Sequence, residues 1–600
     1  MTGTRLRYPG RPASQGTALG DLYRVDRPLT GPGPVPPART AAPHGGLRTL
    51  TLPGARTDPD PGPTGDPGPD PEAENGAAGP AARIAAAFDG VADRLDAVGA
   101  TLRAQGRTEE AEIMEVAGLI ARDPDLRQQA RQLAAGGAPA PDAVRRAVDD
   151  QAAAIAALGD PVLAERAADV RQVGRRVLAV LLGGGEPEPG RPVVLAAHEI
   201  GAADLLEPGR TVTAALSVTG GPNSHAAIVA RSLGIPLLLG VDPGLLDLPD
   251  GVETLVDGAV TVVRPAPAER AAALTAIAAA RARRERLAAE RHLPARTADG
   301  HRVTLRANVA TPGEVRSALQ AGADGVGLLR TELPFLDAPQ WPTRAQHAAA
   351  LRPVLAALAG QHVTVRTLDF ADDKLPPFLA GDRPPGARLG RGLPLMLARP
   401  DAFAEQFAAL LAAGAGDGLR IMIPMVADVG EVRACRALLE QAAAELGVPA
   451  PPLGIMIELP EAVGRIGALA REAAFLSLGT NDLTSRVLGL DRRDPAAGPA
   501  RTAHPAVLRA VAGVVAAARS HHLPLSVCGD AAAHPLVLPL LLGLGCDTLS
   551  VAPAALDEVR AAVRRLDHAA CRAVAADALV LETEEEVHHL VGRRLPAPPS

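Results

Sequence analysis

Aromatic residues are scarce in this chain: one Trp, two Tyr and seven Phe among 600 residues, 2% in all. Its core is therefore aliphatic, built from Ala, Val and Leu. No apolar run approaches the roughly 18 residues that span a bilayer. The opening segment, MTGTRLRYPGRPAS, lacks the apolar stretch of a signal peptide. Cysteine is also sparse. Cys435, Cys528, Cys546 and Cys571 show no C-x-x-C spacing, so no zinc or disulfide framework is implied and reduced thiols are expected. Positive charge is not in excess. A net charge of −7 argues against a general nucleic-acid binder or a polybasic membrane protein. These absences predict a cytoplasmic protein with no nucleic-acid partner and no membrane insertion. Lysine is almost missing: of 61 basic residues only Lys374 is one. A compact ammonium is not interchangeable with a planar guanidinium, so this position is either a chance survivor of arginine-biased composition or a specific charge.

What is present is ample core material. Apolar residues make up 47%, and the length suggests three or four domains at roughly 150 residues each. The 61 Gly and 57 Pro require many turns or a disordered segment. Residues 16–25 read as a short strand, so 1–28 is assigned to the first strand of an α/β domain. Residues 29–80 hold runs such as GPGPVPP and PDPGPTGDPGPDP without periodicity, a Pro/Gly-rich disordered insert. Residues 81–183 read as a helical subdomain. Ile84, Phe88, Val91, Leu95, Val98 and Leu102 make one apolar stripe at alternating four- and three-residue steps. Further helices are predicted over 108–122, with Ile113, Val116, Leu119 and Ile120 inward, over 141–157, and over 161–182, with Leu163, Ala167, Val170, Val177 and Leu181 inward. Residues 184–265 are mixed α/β, with strands near 193–197, 211–218, 235–241 and 252–256 and a helix from 224. Residues 266–296 read as a charged linker helix.

Residues 297–567 alternate strands and helices. Eight β-rich runs fall at 303–309, 324–330, 362–368, 419–425, 453–458, 475–479, 523–528 and 547–551. This predicts a (β/α)8 barrel whose strands are buried on both faces. Residues 568–600 form a C-terminal helical tail.

Active sites of such barrels lie at the C-terminal strand ends. Those ends carry Asn308, Arg330-Thr331-Glu332, Arg366, Glu458, Asn481-Asp482 and Cys528. Arginines suit carboxylate and phosphate through bidentate hydrogen bonds. Glu458 and Asp482 are hard oxygen ligands suited to Mg²⁺. The rim points to a small, acidic, phosphorylated substrate; an unrelated barrel hydrolase or lyase remains the other reading. In GGPNSHAAIVARSLGIP (220–236) two glycines turn the chain and a helix starts near Ser224, with His225 in its first turn. A helix N-terminus favours negative charge, so His225 could carry a phosphoryl group; a helix-start histidine without function is the plain alternative. Cys528 taken alone reads as a buried small hydrophobe.

GGPNSHAAIVARSLGIP resembles the phosphohistidine motif of the phosphoenolpyruvate-utilising enzymes. GLLRTELPFL, TVRTLDFADDK, RIMIPM, GIMIELP, LSLGTNDLT, LDR and VCG resemble, in order, the barrel motifs of that family. ERAADVRQVGRRVLAVLLG and SQGTALGDLYRV resemble the helical domain and first strand of enzyme I of the bacterial sugar phosphotransferase system. The resemblance implies an α/β multidomain protein with a phosphoenolpyruvate-binding barrel and a swivelling phosphohistidine domain into which a carrier-binding helical subdomain is inserted. It implies His225 as nucleophile and Cys528 as proton donor to the enolate. Arg330, Arg366, Lys374, Asn481, Asp482 and Arg492 would bind substrate, and Glu458 and Asp482 would hold Mg²⁺. It further implies the phosphocarrier HPr as partner, reached through the helical subdomain, and a homodimer formed through the barrel. ATP-using relatives carry a large nucleotide-binding domain ahead of the histidine domain, and no G-x-x-x-x-G-K-[ST] loop occurs here.

Several positions depart from the family pattern. Pro222 and Asn223 stand where arginine and threonine are usual. Leu389-Gly390-Arg391-Gly392 places an arginine one position early, with Arg388 nearby. Asp530 replaces a glutamate. These changes keep open a second reading, a weakened or non-catalytic paralogue that binds phosphoenolpyruvate or an HPr-like partner as a regulator.

Overall fold

The computed structural model describes residues 5–25, 79–104, 107–157, 161–183, 190–207, 210–221, 224–336, 338–370, 376–380, 393–414, 418–490 and 498–595. The predicted insert at 29–80 lies outside them up to residue 78. The chain divides into two compact units, Met1–Ala279 and Ala280–Ser600.

The first unit contains an eight-stranded sheet. Its strands are β1 (Leu6–Pro9), β2 (Arg11–Ser14), β3 (Thr17–Arg24), β4 (Pro192–Ala197), β5 (Thr211–Ser217), β6 (Leu237–Leu239), β7 (Glu253–Asp257) and β8 (Val260–Val263), in spatial order β1-β8-β7-β3-β4-β5-β6-β2. The segment 1–28 thus supplies three strands where the sequence predicts one. β1 and β2 are four residues each and sit at the two sheet edges, where short, Pro-containing strands are tolerated. The middle strands β3 to β6 run parallel. β4 and β5 are apolar because both faces are covered. Val193, Leu195 and Ala215 meet Ala227 and Ala230 of the helix His225–Leu233 on one side, and Val194, Ala196, Ala214 and Leu216 meet Leu245 and Val256 on the other.

Five helices follow β3 in the chain: α1 (Pro80–Ala104), α2 (Thr108–Ala121), α3 (Pro124–Ala135), α4 (Ala140–Ala156) and α5 (Pro161–Leu181). The predicted α1 stripe, Ile84 to Leu102, is buried at every position. Helix α3 has no counterpart in the sequence reading. Pro124 suggests a break there, but it occupies the first helical turn, where its missing N–H costs nothing, and Asp123 caps the helix by accepting from the Leu126 amide at 2.8 Å. The inward face of α2 also differs from expectation. Ala111, Met114 and Ala121 are buried, whereas Leu119 is 68% exposed. The small residues let α1 and α2 approach closely: a Cβ on Gly99 would lie 3.4 Å from the Ala111 carbonyl. A linker helix, Pro267–Ala289, is largely exposed apart from Ala273 and Leu287.

The second unit is a closed parallel barrel of β9 (Thr304–Val309), β10 (Val326–Leu329), β11 (Val363–Arg366), β12 (Leu419–Ile423), β13 (Leu453–Ile457), β14 (Leu476–Gly479), β15 (Leu525–Cys528) and β16 (Thr548–Val551), with β16 pairing β9. All eight strands fall inside the runs read from the sequence. Alternation divides their side chains. Ile421, Ile455, Leu476, Leu478 and Val527 pack outward with the helices, and Leu328, Met422, Met456, Phe475 and Cys528 form a separate inner cluster. The C-terminal helix Glu584–Arg594 starts at a capping box between Thr583 and Glu586 and buries Val587, Leu590 and Val591. No helix among the described residues is long and apolar enough to cross a membrane.

Candidate active site

The barrel brings the predicted rim residues together at the C-terminal strand ends. Arg330 follows β10, Arg366 ends β11, Glu458 follows β13, Asn481 and Asp482 open a helix after β14, and Cys528 ends β15. Each is carried by a short, largely buried barrel strand or the residues just after it, so a rigid scaffold sets each position.

Arg366 is the best anchored. Its guanidinium lies 2.7 Å from Glu332 Oε1 and 2.8 Å from Asp369 Oδ2. Burial works against its charge, but Glu332 and Asp369 outweigh that and raise its pKa above the ordinary arginine value. Thr331 Oγ1 donates to the Arg366 carbonyl at 2.9 Å and accepts from Gln406 Nε2 at 3.1 Å, while Gln406 Oε1 accepts from the Leu368 amide at 3.1 Å. Gln406 is fully buried and ties β10 to the segment after β11. Asp369 and Gln406 escaped the sequence reading. Asp369 stands three residues after Arg366 and could have been noticed as an ion-pair partner. Gln406 sits on a helix remote in sequence and offers no local signal.

Glu458 is 1% exposed. Burial pushes its carboxyl well above the usual carboxylate range, and the neighbouring charges of Asp369 and Asp482 push the same way, against Arg366 and the Met425 amide. That amide donates to Glu458 Oε1 at 2.7 Å, and Met425 adopts a left-handed φ of 54° to aim it. The carboxylates of Asp369, Glu458 and Asp482 outnumber the one guanidinium, Arg366, that acts on Glu458. Glu332 Oε2 and Asp369 Oδ1 are buried without a hydrogen-bond partner, as are Arg330 Nε and Arg366 Nε. This donor set fits a divalent cation of the hard-oxygen class, and the arginines fit an anion bound beside it. Asp482 lies in the first turn of the helix Thr480–Val487, where a carboxylate is favoured. Asn481 Nδ2 donates to Asp530 Oδ2 at 3.2 Å, and the Asp530 amide donates to Asn481 Oδ1 at 3.1 Å. The aspartate at this departure from the family pattern therefore orients Asn481.

Cys528 is 3% exposed. Burial pushes its thiol up to about 11, with Ser477 pulling down, Glu458 pushing up and Arg366 pulling down. It is thus a neutral acid at pH 7 that faces the barrel interior. Gly529, next in the chain, has φ 142°, and a Cβ there would lie 2.1 Å from Thr480 Oγ1.

His225 opens the helix His225–Leu233 behind Ser224, whose Oγ accepts from the Ala227 amide at 3.3 Å. Lys374 and Arg492 lie outside the described residues, as do Pro222, Asn223 and the Leu389–Gly392 segment.

Comparison with known proteins agrees with this geometry. Residues 284–568 match the PEP-utilising enzyme, PEP-binding domain; residues 189–260 match the PEP-utilising enzyme, mobile domain; residues 9–166 match the PEP-utilising enzyme, N-terminal. The multiphosphoryl transfer protein of Xanthomonas campestris pv. campestris is 40% identical over 496 residues, 81% of this chain and 59% of that protein. The multiphosphoryl transfer protein of Rhodobacter capsulatus is 39% identical over 477 residues, 78% of this chain and 58% of that protein. This chain thus spans less than two thirds of those two relatives. The phosphoenolpyruvate-protein phosphotransferase of Streptomyces coelicolor is 38% identical over 505 residues, 82% of this chain and 89% of that protein. The chain belongs to the phosphoenolpyruvate-utilising enzyme family, alongside the phosphoenolpyruvate-protein phosphotransferases.

Proposed function

We propose that the protein is a phosphoenolpyruvate-protein phosphotransferase that catalyses the first step of a sugar phosphotransferase system. It takes the phosphoryl group of phosphoenolpyruvate onto His225, releases pyruvate, and passes the group to an HPr-like phosphocarrier. Arg330 and Arg366 bind the phosphate and carboxylate of the substrate, with Lys374, Asn481, Asp482 and Arg492 completing the binding set. His225 attacks phosphorus, the bond from phosphorus to the enol oxygen breaks, and Cys528 gives its proton to the enolate carbon. Phosphoryl transfer requires positioning and charge neutralisation above all, and an arginine held by two carboxylates and a buried neutral thiol supply these from the protein side. Enzymes of this family use a divalent metal. Glu458 and Asp482 would hold Mg²⁺, which would supply charge neutralisation for the phosphoryl group. The helical subdomain is the docking surface for the carrier, the barrel the homodimer contact, and the cytoplasm the working compartment.

The observation that carries this reading is the convergence of Arg330, Arg366, Glu458 and Cys528 on one rim, with buried polar atoms of Arg330, Arg366, Glu332 and Asp369 left without partners. A non-catalytic regulator would need neither the thiol nor the crowded carboxylates. Incubation with radiolabelled phosphoenolpyruvate and Mg²⁺ tests it. The expected product is an acid-labile, base-stable protein label that disappears in His225→Ala. An unlabelled wild-type protein would overturn the reading.

A further inference from the structure

On the inner face of the barrel Leu328, Met422, Met456 and Phe475 cluster with Cys528, and Arg306, Thr364, Arg420 and Ser550 share that face by strand alternation. Two further serines lead to the thiol. Ser526 lies two residues before Cys528 on β15 and shares its inward face, and Ser477 stands directly opposite Ser526 on β14. Ser526 Oγ donates to Ser477 Oγ at 3.1 Å, Ser477 Oγ donates to Cys528 Sγ at 3.2 Å, and the thiol donates to the Leu478 carbonyl at 3.4 Å. Ser477 is 0% exposed and Ser526 is 9% exposed, so Ser526 is the outer end of this chain of hydroxyls. Burying hydroxyls costs free energy that alanine would avoid, and the two serines recover it only by bonding to each other and to the thiol.

We propose that Ser526 and Ser477 form a hydroxyl relay that returns a proton to Cys528 after its thiol has protonated carbon. The proposal rests on the reading of Cys528 as the proton donor. In the first step the S–H bond breaks and its proton forms the new C–H bond at the enolate carbon. The electron pair of the S–H bond stays on sulfur, and the enolate becomes the ketone of pyruvate. In the second step Ser477 Oγ gives its proton to sulfur, Ser526 Oγ gives its proton to Ser477, and a solvent proton enters at Ser526. Net, one solvent proton replaces the one lost to carbon. A thiolate buried at this depth, with its thiol favoured up to about 11, is reprotonated readily once a route exists. Ser477 also stabilises the thiolate while it lasts, because a hydrogen bond to the charged form favours that form.

The test compares two exchange rates in the full-length enzyme with phosphoenolpyruvate, pyruvate and Mg²⁺ in D₂O. Carbon-labelled pyruvate entering phosphoenolpyruvate reports the chemistry. Deuterium entering the methylene of phosphoenolpyruvate reports renewal of the thiol proton from solvent. In the wild type the two keep pace. In Ser526→Ala carbon exchange persists while deuterium entry falls roughly tenfold or more behind it, because the abstracted proton stays on sulfur and returns to carbon. Ser526→Thr, which keeps the hydroxyl, restores the ratio. Ser477→Ala behaves as Ser526→Ala does and shifts the S–H stretching band assigned by difference against Cys528→Ala. If Ser477→Ala does not fold, Ser526→Ala decides alone. Deuterium keeping pace with carbon in the serine variants overturns the relay while the donor role stands, provided Cys528→Ala abolishes both exchanges. Persistent carbon exchange in Cys528→Ala removes the donor role itself, and the relay with it.

Discussion

Glu332 Oε1 accepts from Arg366 Nη2 at 2.7 Å, and on the other side of the same guanidinium Asp369 lies at 2.8 Å. This arginine, the proposed substrate ligand, is therefore preorganised by two carboxylates. Replacing one of them frees the guanidinium to drift, and a misplacement of about 1 Å can cost roughly 100-fold in rate. Glu332→Gln should lower kcat/KM for phosphoenolpyruvate roughly 10- to 100-fold, with the phosphorylated form still confined to His225. Steady-state pyruvate release with carrier present checks this; unchanged kcat/KM would show that Asp369 alone suffices.

Gly529 sets the spacing between the β15 end and the helix that carries Asn481 and Asp482. Its φ of 142° is strained for any L side chain, and an added Cβ would meet Thr480 Oγ1 at 2.1 Å and Asn481 Oδ1 at 3.0 Å. Gly529→Ala should displace Asn481 and cut phosphoenolpyruvate-dependent labelling by roughly 100-fold. The melting temperature should fall as well. Labelling at the wild-type rate would mean that the Thr480–Asn481 segment yields without harm.

Removal of divalent metal by a chelator should abolish labelling, and added Mg²⁺ should restore it. Glu458→Gln keeps the shape of the buried side chain but removes its charge. The Mg²⁺ concentration for half-maximal labelling should rise roughly tenfold or more. A variant with an unchanged Mg²⁺ requirement would remove Glu458 from the metal site.

Acid should destabilise the barrel unit through His347. This side chain is 1% exposed, neither ring nitrogen has a hydrogen-bond partner, and it packs edge-on against Phe335 at 4.7 Å. Burial lowers its pKa from 6.5 to about 4. Above pH 6.5 both folded and unfolded states are neutral and the site contributes no pH dependence. As pH falls from 6.5 toward 4 the unfolded chain binds a proton that the folded state refuses. Stability is lost through that window, by about 2 kcal/mol at pH 5. Denaturant unfolding of wild type and His347→Leu at pH 7.5 and pH 5 measures it. The variant should lose less stability on acidification, and equal losses would rule out His347 as the sensor.

Much of the fold is legible in the chain because it is encoded locally. The eight barrel strands are short apolar runs with polar ends. The α1 stripe from Ile84 to Leu102 follows the helical period. The residues of the rim could be named because a barrel strand delivers its last side chain to one predictable place. What the pattern could not resolve depends on partners distant in sequence. Leu119 looks like a core residue until Gly99 and Ala111 bring α1 and α2 together on a different face. β1, β2 and β8 are too short to show a period, and they exist because neighbouring strands are there to pair with them. Glu332, Asp369 and Gln406 converge on the β10–β11 rim only once the barrel closes. Ser526 meets Ser477 because the register of β14 against β15 sets them opposite each other.

The sequence by itself thus determined the architecture and which polar residues stand at the barrel rim, since periodicity and residue chemistry are properties of the chain. Only the tertiary structure decided how each group is held: which carboxylates clamp Arg366, which backbone amide holds Glu458, and which hydroxyls reach Cys528. Those follow from strand register and barrel closure, which bring together atoms that no local pattern relates.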